Sequence, residues 1–185
     1  MQYLLKATIP FAATLILSAC GNKTNPENEA KATAGHDHAA MEQTEMASTA
    51  IPVLKNDMLN AVYQHYIHLT TALINNDVAE AKIAANAIEA GSKFIAGASA
   101  IASAAEKIMA APDIDAQRTS YSGMSKDMAE LIKKEGLSAG ALYVAFCPMA
   151  FNDKGAAWIS ISREIRNPYF GEKMLSCGEV QYTLN

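Results

Sequence analysis

Apolar residues recur at three- and four-residue steps through much of the sequence between Leu54 and Gly136, and this spacing is typical of helices that bury one face. In the first such segment the repeating positions are Leu59, Val62, Tyr66, Leu69 and Leu73. Half of the chain's 185 residues are hydrophobic but only 7% are aromatic, so the core has to be built mainly from Ala, Leu, Ile and Met. The sequence therefore predicts a core that forms between helices.

Breaks in the pattern divide this stretch into four helices. Residues 75–77, Asn-Asn-Asp, end the first helix and are suited to cap the second, over residues 78–95. The third helix is predicted over residues 99–111, and the fourth from Asp113 to Gly136. The predicted seam of the fourth helix consists of Ile114, Gln117, Tyr121, Met124, Met128 and Leu131. Because the connections are short, we expect an antiparallel four-helix bundle.

The pattern changes after Gly140. Residues 141–147 and 156–162 have the composition of short strands, whereas residues 163–185 carry turn signals and no clear period. The predicted fold is therefore mainly α: a four-helix bundle followed by a small C-terminal module of a β-hairpin and irregular chain.

The N-terminus has the features of a lipoprotein signal. Lys6 provides a positive charge, residues 7–17 are apolar but too short to span a bilayer, and the sequence Leu-Ser-Ala-Cys ends at Cys20. This order resembles the lipobox of bacterial lipoproteins, which implies that Cys20 is lipidated and anchors the protein in a lipid bilayer. We expect a protein of the cell envelope that either faces the periplasm or belongs to the outer membrane.

A polar segment follows the signal. Residues 21–52 have no sustained apolar face and predict a disordered tether, which leaves residues 53–185 as a single domain after the signal of residues 1–20. Within the tether, imidazole and thioether groups suited to copper occur at His36, His38, Met41 and Met46. The alternative is that these side chains are solvated and bind metal only incidentally.

Two pairs of sulfur-containing residues stand out in the C-terminal module. Cys147 and Met149 flank a proline, and Met174 and Cys177 are three residues apart. Two thiolates and two thioethers would form a soft donor set that favours Cu(I), with Ag(I) and Zn(II) as weaker candidates. The alternative is a disulfide between Cys147 and Cys177, since cysteines outside the cytoplasm usually pair. The two states exclude each other at any moment.

Two histidines on the first helix are further candidate ligands. His65 and His68 lie three residues apart, so they share one face of the helix. They could complete a metal site at the edge of the bundle, or they could be ordinary surface residues.

The sequence lacks the signals of several other function classes. The net charge is −4 and no run of Lys or Arg is present, so we expect no nucleic-acid partner. The motifs of serine hydrolases, zinc proteases and nucleotide-binding enzymes are missing, as is a C-x-x-C redox motif. We therefore expect that the protein is not an enzyme.

Several motifs resemble those of the domain-of-unknown-function family 3347 (DUF3347). They are Cys-Pro-Met-Ala from Cys147, Glu-Ile-Arg-Asn-Pro-Tyr-Phe-Gly ending at Gly171, and Met-Leu-x-Cys-Gly from Met174. The segment from Asp113 to Leu137 is similar as well. The resemblance covers about residues 54–184 and implies a role near copper, because such domains also occur fused to periplasmic adaptor subunits of copper/silver efflux pumps.

The sequence thus favours a membrane-anchored, non-enzymatic Cu(I)-binding lipoprotein that takes part in copper homeostasis. The alternative is a domain stapled by a disulfide that docks on an envelope protein or an efflux-pump component without metal.

Overall fold

The computed structural model describes residues 51–185. The predicted signal, Cys20 and nearly all of the predicted tether lie outside these residues. Within the described part of the chain, none of the helices combines the length and hydrophobicity needed to cross a membrane.

Four helices form the first part of the fold: α1 (Asp57–Ile74), α2 (Val78–Ser92), α3 (Ser99–Ala110) and α4 (Ile114–Glu135). Local capping explains where three of them begin. The side chains of Asn56, Asp77 and Asp113 accept hydrogen bonds of 2.8–3.0 Å from backbone N–H groups in the first turns of α1, α2 and α4. The predicted starts of α2 and α4 are therefore confirmed.

Each helix packs on the next one along the chain, and α1 and α2 also contact α4. The predicted positions on α1 are all buried, as are those on α4 except the half-buried Ile114. Small residues such as Ala81, Ala84 and Ala85 allow α2 to approach its neighbours closely. The predicted fold class, a mainly α bundle followed by a strand module, is confirmed.

The strands form two separate sheets. Strand β1 (Val53–Leu54) pairs antiparallel with β2 (Leu137–Ala139), next to the end of α4. Strands β3 (Leu142–Cys147), β4 (Ala156–Ser160) and β5 (Glu179–Leu184) form an antiparallel sheet in the order β4-β3-β5. The hairpin of β3 and β4 was predicted. Strand β5 was not: residues 163–185 were interpreted as irregular because of their turn signals, although Glu-Val-Gln-Tyr-Thr-Leu alternates polar and apolar residues.

Two short turns complete the C-terminal module. Helical turn α5 (Ala150–Asp153) joins β3 to β4, and the 3₁₀ turn Gly171–Met174 precedes β5. In α5, Phe151, Asn152 and Asp153 have φ angles of 55°, 56° and 64°. Successive non-glycine residues in this left-handed region carry a cost of roughly 1–2 kcal/mol each, so the surrounding structure has to hold the turn in place.

Four buried tyrosines connect the bundle to the sheet. The tyrosine row consists of Tyr63, Tyr66, Tyr121 and Tyr169, whose neighbouring ring centroids are 5.4–5.7 Å apart. Burial raises the pKa of all four phenols, so they stay protonated at neutral pH.

Two hydroxyls of the tyrosine row bind the outer edge of β4. The backbone N–H of Ile159 donates to the Tyr66 hydroxyl at 3.0 Å, and the Tyr169 hydroxyl donates to the Ala157 carbonyl at 2.5 Å. Alternate residues of a strand point their backbone groups to the same side, so both bonds lie on the side of β4 away from β3. The tyrosines therefore satisfy backbone groups that a further strand would otherwise bind.

Candidate functional site

A cleft of about 720 Å³ lies where the bundle meets the C-terminal module. One wall is the start of α4, with Asp115, Arg118 and Thr119. The other walls are residues 149–153, which include the left-handed turn, and the segment 169–174. Side chains that are far apart in the sequence thus meet at one concave surface.

Both predicted thioether ligands line this cleft. Met149 is 48% exposed, and Met174 is half-buried at the end of the 3₁₀ turn. The Cys-Pro-Met and Met-Leu-Ser-Cys segments therefore contribute to the same surface, although 25 residues separate these methionines.

The two cysteines form a disulfide, with their Cα atoms 5.8 Å apart. Cys147 is fully buried at the end of β3, whereas Cys177 is partly exposed. In this state neither sulfur is a thiolate, so the thioethers are the sulfur groups that remain free to bind a soft metal. The disulfide fixes the positions of the two methionine-bearing segments.

The Asn-Pro-Tyr-Phe-Gly turn connects the disulfide to the cleft. The Asn167 side-chain oxygen accepts hydrogen bonds from the backbone N–H groups of Tyr169 and Phe170, at 2.7 and 3.3 Å, and its amide N–H donates to the Cys177 carbonyl at 2.8 Å. Gly171 has a φ of 58°, and a Cβ there would lie 2.6 Å from the Ile74 carbonyl oxygen. This position therefore requires glycine.

The sequence analysis missed Arg118, which is the buried charge of the cleft. Its guanidinium donates to the carbonyls of Pro168 and Leu73 at 2.8 and 3.0 Å, and to the Asn76 side chain at 2.8 Å. A longer contact of 3.3 Å joins it to Asp115. Burial lowers the pKa of Arg118, and the contact with Asp115 acts in the opposite direction.

Residues 62–140 match the family model of DUF3347, described as a protein of unknown function. The match covers 79 of the chain's 185 residues and agrees with the resemblance to DUF3347 seen in the sequence. No curated protein and no solved structure matches the chain. The DUF3347 match ends before β3, so it includes the α4 wall of the cleft and leaves out both methionines and both cysteines.

The two histidines lie within the DUF3347 segment but do not line the cleft. Both are exposed on α1, and the His68 ring nitrogen Nε2 is 2.9 Å from a carboxylate oxygen of Glu80 on α2. Among residues 51–185, no group of three or more His, Cys, Asp or Glu side chains is arranged to hold a metal ion. The predicted ligands of the tether, His36, His38, Met41 and Met46, lie outside the described residues.

One signal in the sequence could have identified Arg118. It lies four residues after Ile114 and three before Tyr121, so helical spacing places it on the buried seam of α4. An arginine on a buried helix face needs several acceptors. Its partners come from α1 and from the Asn-Pro-Tyr-Phe-Gly turn, and no local pattern reveals those contacts.

Proposed function

We propose that this chain is a membrane-anchored, non-enzymatic Cu(I)-binding lipoprotein of the cell envelope that takes part in copper homeostasis. The observation that supports this most is the presence of Met149 and Met174 on one cleft. Thioethers are soft donors that select Cu(I), and Ag(I) by the same chemistry, over hard cations. Zn(II) is less well matched to this donor set.

The disulfide determines which donors the cleft can offer. With Cys147 and Cys177 paired, the thioethers of Met149 and Met174 are the remaining donors of the proposed set, and both line the cleft. Two thioethers alone should bind Cu(I) less tightly than the full four-sulfur set. Reduction would add two thiolates in the same segments and create the four-sulfur set predicted from the sequence. Thiolate ligands have to lose their protons, so the affinity of the reduced form should fall as the pH is lowered.

The histidines do not enter the proposed cleft site. His65 and His68 are exposed on α1, and His68 already contacts Glu80. The proposal therefore assigns the metal to sulfur ligands alone.

An anaerobic titration with Cu(I) against a chromogenic chelator tests the proposal. We expect one equivalent to bind, more tightly after the disulfide is reduced. Met149→Leu and Met174→Leu should weaken binding in both states. Cys147→Ser, which cannot form the disulfide, should bind more weakly than the reduced parent and should no longer respond to reduction. Met58→Leu is a matched control, because Met58 is also 48% exposed and does not line the cleft.

Equal and weak binding in both redox states, unchanged by the methionine substitutions, would refute the copper proposal. The disulfide itself would then favour the second candidate, a stapled interaction domain that docks on an envelope protein or an efflux-pump component. Crosslinking in intact cells would test that function, with Met149 replaced by a photoreactive residue and the exposed position Met58 as the control.

The lipid anchor is proposed from the sequence around Cys20. Growth with labelled palmitate should label the protein, and Cys20→Ser should abolish both the label and recovery with membranes. Labelling that survives this substitution would contradict the assignment.

A further inference from the structure

Arg118 is a buried cation whose hydrogen bonds are incompletely used. It is 6% exposed, and its guanidinium has five N–H groups. Four of them donate, to Pro168, Leu73, Asn76 and Asp115, which leaves one N–H of Nη1 without an acceptor among the described residues.

The ionic compensation of this charge is also weak. Three of the four acceptors are neutral, and the carboxylate of Asp115 lies at 3.3 Å on a side chain that is 88% exposed. A single long contact to a solvent-exposed carboxylate compensates a buried charge only weakly. The edge of the guanidinium that faces Asp115 is therefore accessible to another carboxylate that enters the cleft.

We propose that this cleft binds a small monocarboxylate with an apolar body, and that the carboxylate binds Nη1 of Arg118 in place of the Asp115 side chain. A hydrogen bond between a guanidinium N–H and a carboxylate oxygen is charge-assisted, and it is roughly twice as strong as a bond to a neutral acceptor. Both N–H groups of Nη1 are available for such a bond, because one has no acceptor among the described residues and the other is held by Asp115 alone.

The charges around the cleft disfavour a ligand with two negative charges. Lys173 also lines the cleft and forms no ion pair with another described residue, but Asp115 and Asp153 supply two carboxylates. The charged side chains of the lining therefore balance, so the cleft has no excess positive charge to hold a phosphate dianion.

The remaining lining suits an apolar body. Phe151, Phe170, Met149 and Met174 contribute aromatic and thioether surface. A volume of about 720 Å³ lies within the range of sites that hold small organic molecules. This inference does not rest on Cu(I), because it depends on Arg118 and applies to the metal-free, disulfide-bonded protein.

The test is calorimetric titration of the full chain, purified in detergent and stripped of metal, with 3-phenylpropionate. The neutral analogue 3-phenylpropanamide has the same shape and is the matched ligand control. Because a hydrogen bond to a charged group contributes about 1.5–3 kcal/mol, we expect the carboxylate to bind at least roughly tenfold more tightly than the amide. Equal affinities, or tighter binding of inorganic phosphate, would overturn the proposal.

Two substitutions locate the ligand and leave the contacts of Arg118 with Pro168, Leu73 and Asn76 in place. Asp115→Ala removes the competing carboxylate and should tighten binding several-fold. Thr119→Trp places a large side chain at an exposed position of the cleft wall and should abolish binding. Unchanged binding in both variants would also overturn the proposal. Arg118→Gln should abolish carboxylate selectivity, provided that circular dichroism shows the variant to be folded.

Discussion

Replacing Tyr66 by Phe should destabilise the protein although it removes a single oxygen atom. The Tyr66 hydroxyl is fully buried and lies 2.8 Å from Ser125 Oγ, 2.9 Å from the Tyr121 hydroxyl and 3.0 Å from the Ile159 nitrogen. The substitution leaves the Ile159 N–H buried without an acceptor.

The magnitude follows from those contacts. A buried donor left without a partner costs about 1–3 kcal/mol. Tyr121 keeps its contact with Thr70 at 2.7 Å, so only part of the hydroxyl network is lost. We therefore expect the free energy of unfolding to fall by about 2–3 kcal/mol.

Tyr63→Phe is the matched control, one turn earlier on the same helix. Tyr63 is equally buried and stacks on Tyr66, but its hydroxyl has no hydrogen-bond partner among the described residues. Removing that hydroxyl should leave the stability unchanged or raise it by up to about 1 kcal/mol.

Urea unfolding measures both variants, followed by the fluorescence of Trp158, the chain's one tryptophan, and by circular dichroism. The slope of the transition should be the same as in the parent, so that the midpoint alone reports stability. A difference between the two variants of less than about 1 kcal/mol would refute the assigned role of the Tyr66 hydroxyl.

Three further predictions concern stability. Because burial raises the pKa values of the tyrosine row, these tyrosines ionise at lower pH in the unfolded chain than in the folded one. The free energy of unfolding should therefore stay constant from pH 7 to 9 and fall above about pH 10, by up to about 1.4 kcal/mol per pH unit for each tyrosine. A urea-unfolding profile that is flat to pH 11 would contradict this. Gly171→Ala should lower the free energy of unfolding in urea by roughly 2 kcal/mol or more. The control Gly123→Ala, where a Cβ meets nothing within 4 Å, should raise it by about 0.5–1 kcal/mol. Similar effects of the two substitutions would show that the turn at Gly171 is not constrained. Reducing the Cys147–Cys177 disulfide should lower the free energy of unfolding by about 3–4 kcal/mol, measured with and without dithiothreitol. An unchanged unfolding midpoint would show that the disulfide does not stabilise the fold.

The helices could be predicted because their signals are local. The first turn of a helix needs an acceptor for its N–H groups, and Asp77 and Asp113 provide one directly before α2 and α4. The step of three and four residues likewise needs no knowledge of the partner helix. These features depend on neighbouring residues alone.

The third strand of the sheet was not predicted, although one local signal was present. Strand β5 alternates polar and apolar residues, but it is a largely exposed edge strand, and turn signals dominate the chain from Asn167 to Gly171 before it. Its pairing with β3 depends on the disulfide and the Asn167 turn, which bring the chain back to the sheet. Such contacts join residues that are distant in sequence.

The candidate site was predicted only in part for the same reason. Met149 and Met174 were singled out because each lies near a cysteine, and the structure places both on one cleft. The α4 wall, with Arg118, was missed because its acceptors come from other parts of the chain. The histidines share a helix face as predicted, but that face is not the one that meets the cleft.

The tyrosine hydroxyls on β4 also determine where the sheet can be extended by another chain. An exposed strand edge is a template for intermolecular pairing, which can lead to strand exchange or aggregation. At the outer edge of β4, the backbone groups of Ala157 and Ile159 are already hydrogen-bonded to tyrosine hydroxyls of the same chain. Within residues 51–185, β5 is the strand of this sheet whose outer edge meets no partner. Any peptide or second copy that joins the sheet should therefore add at the C-terminal strand.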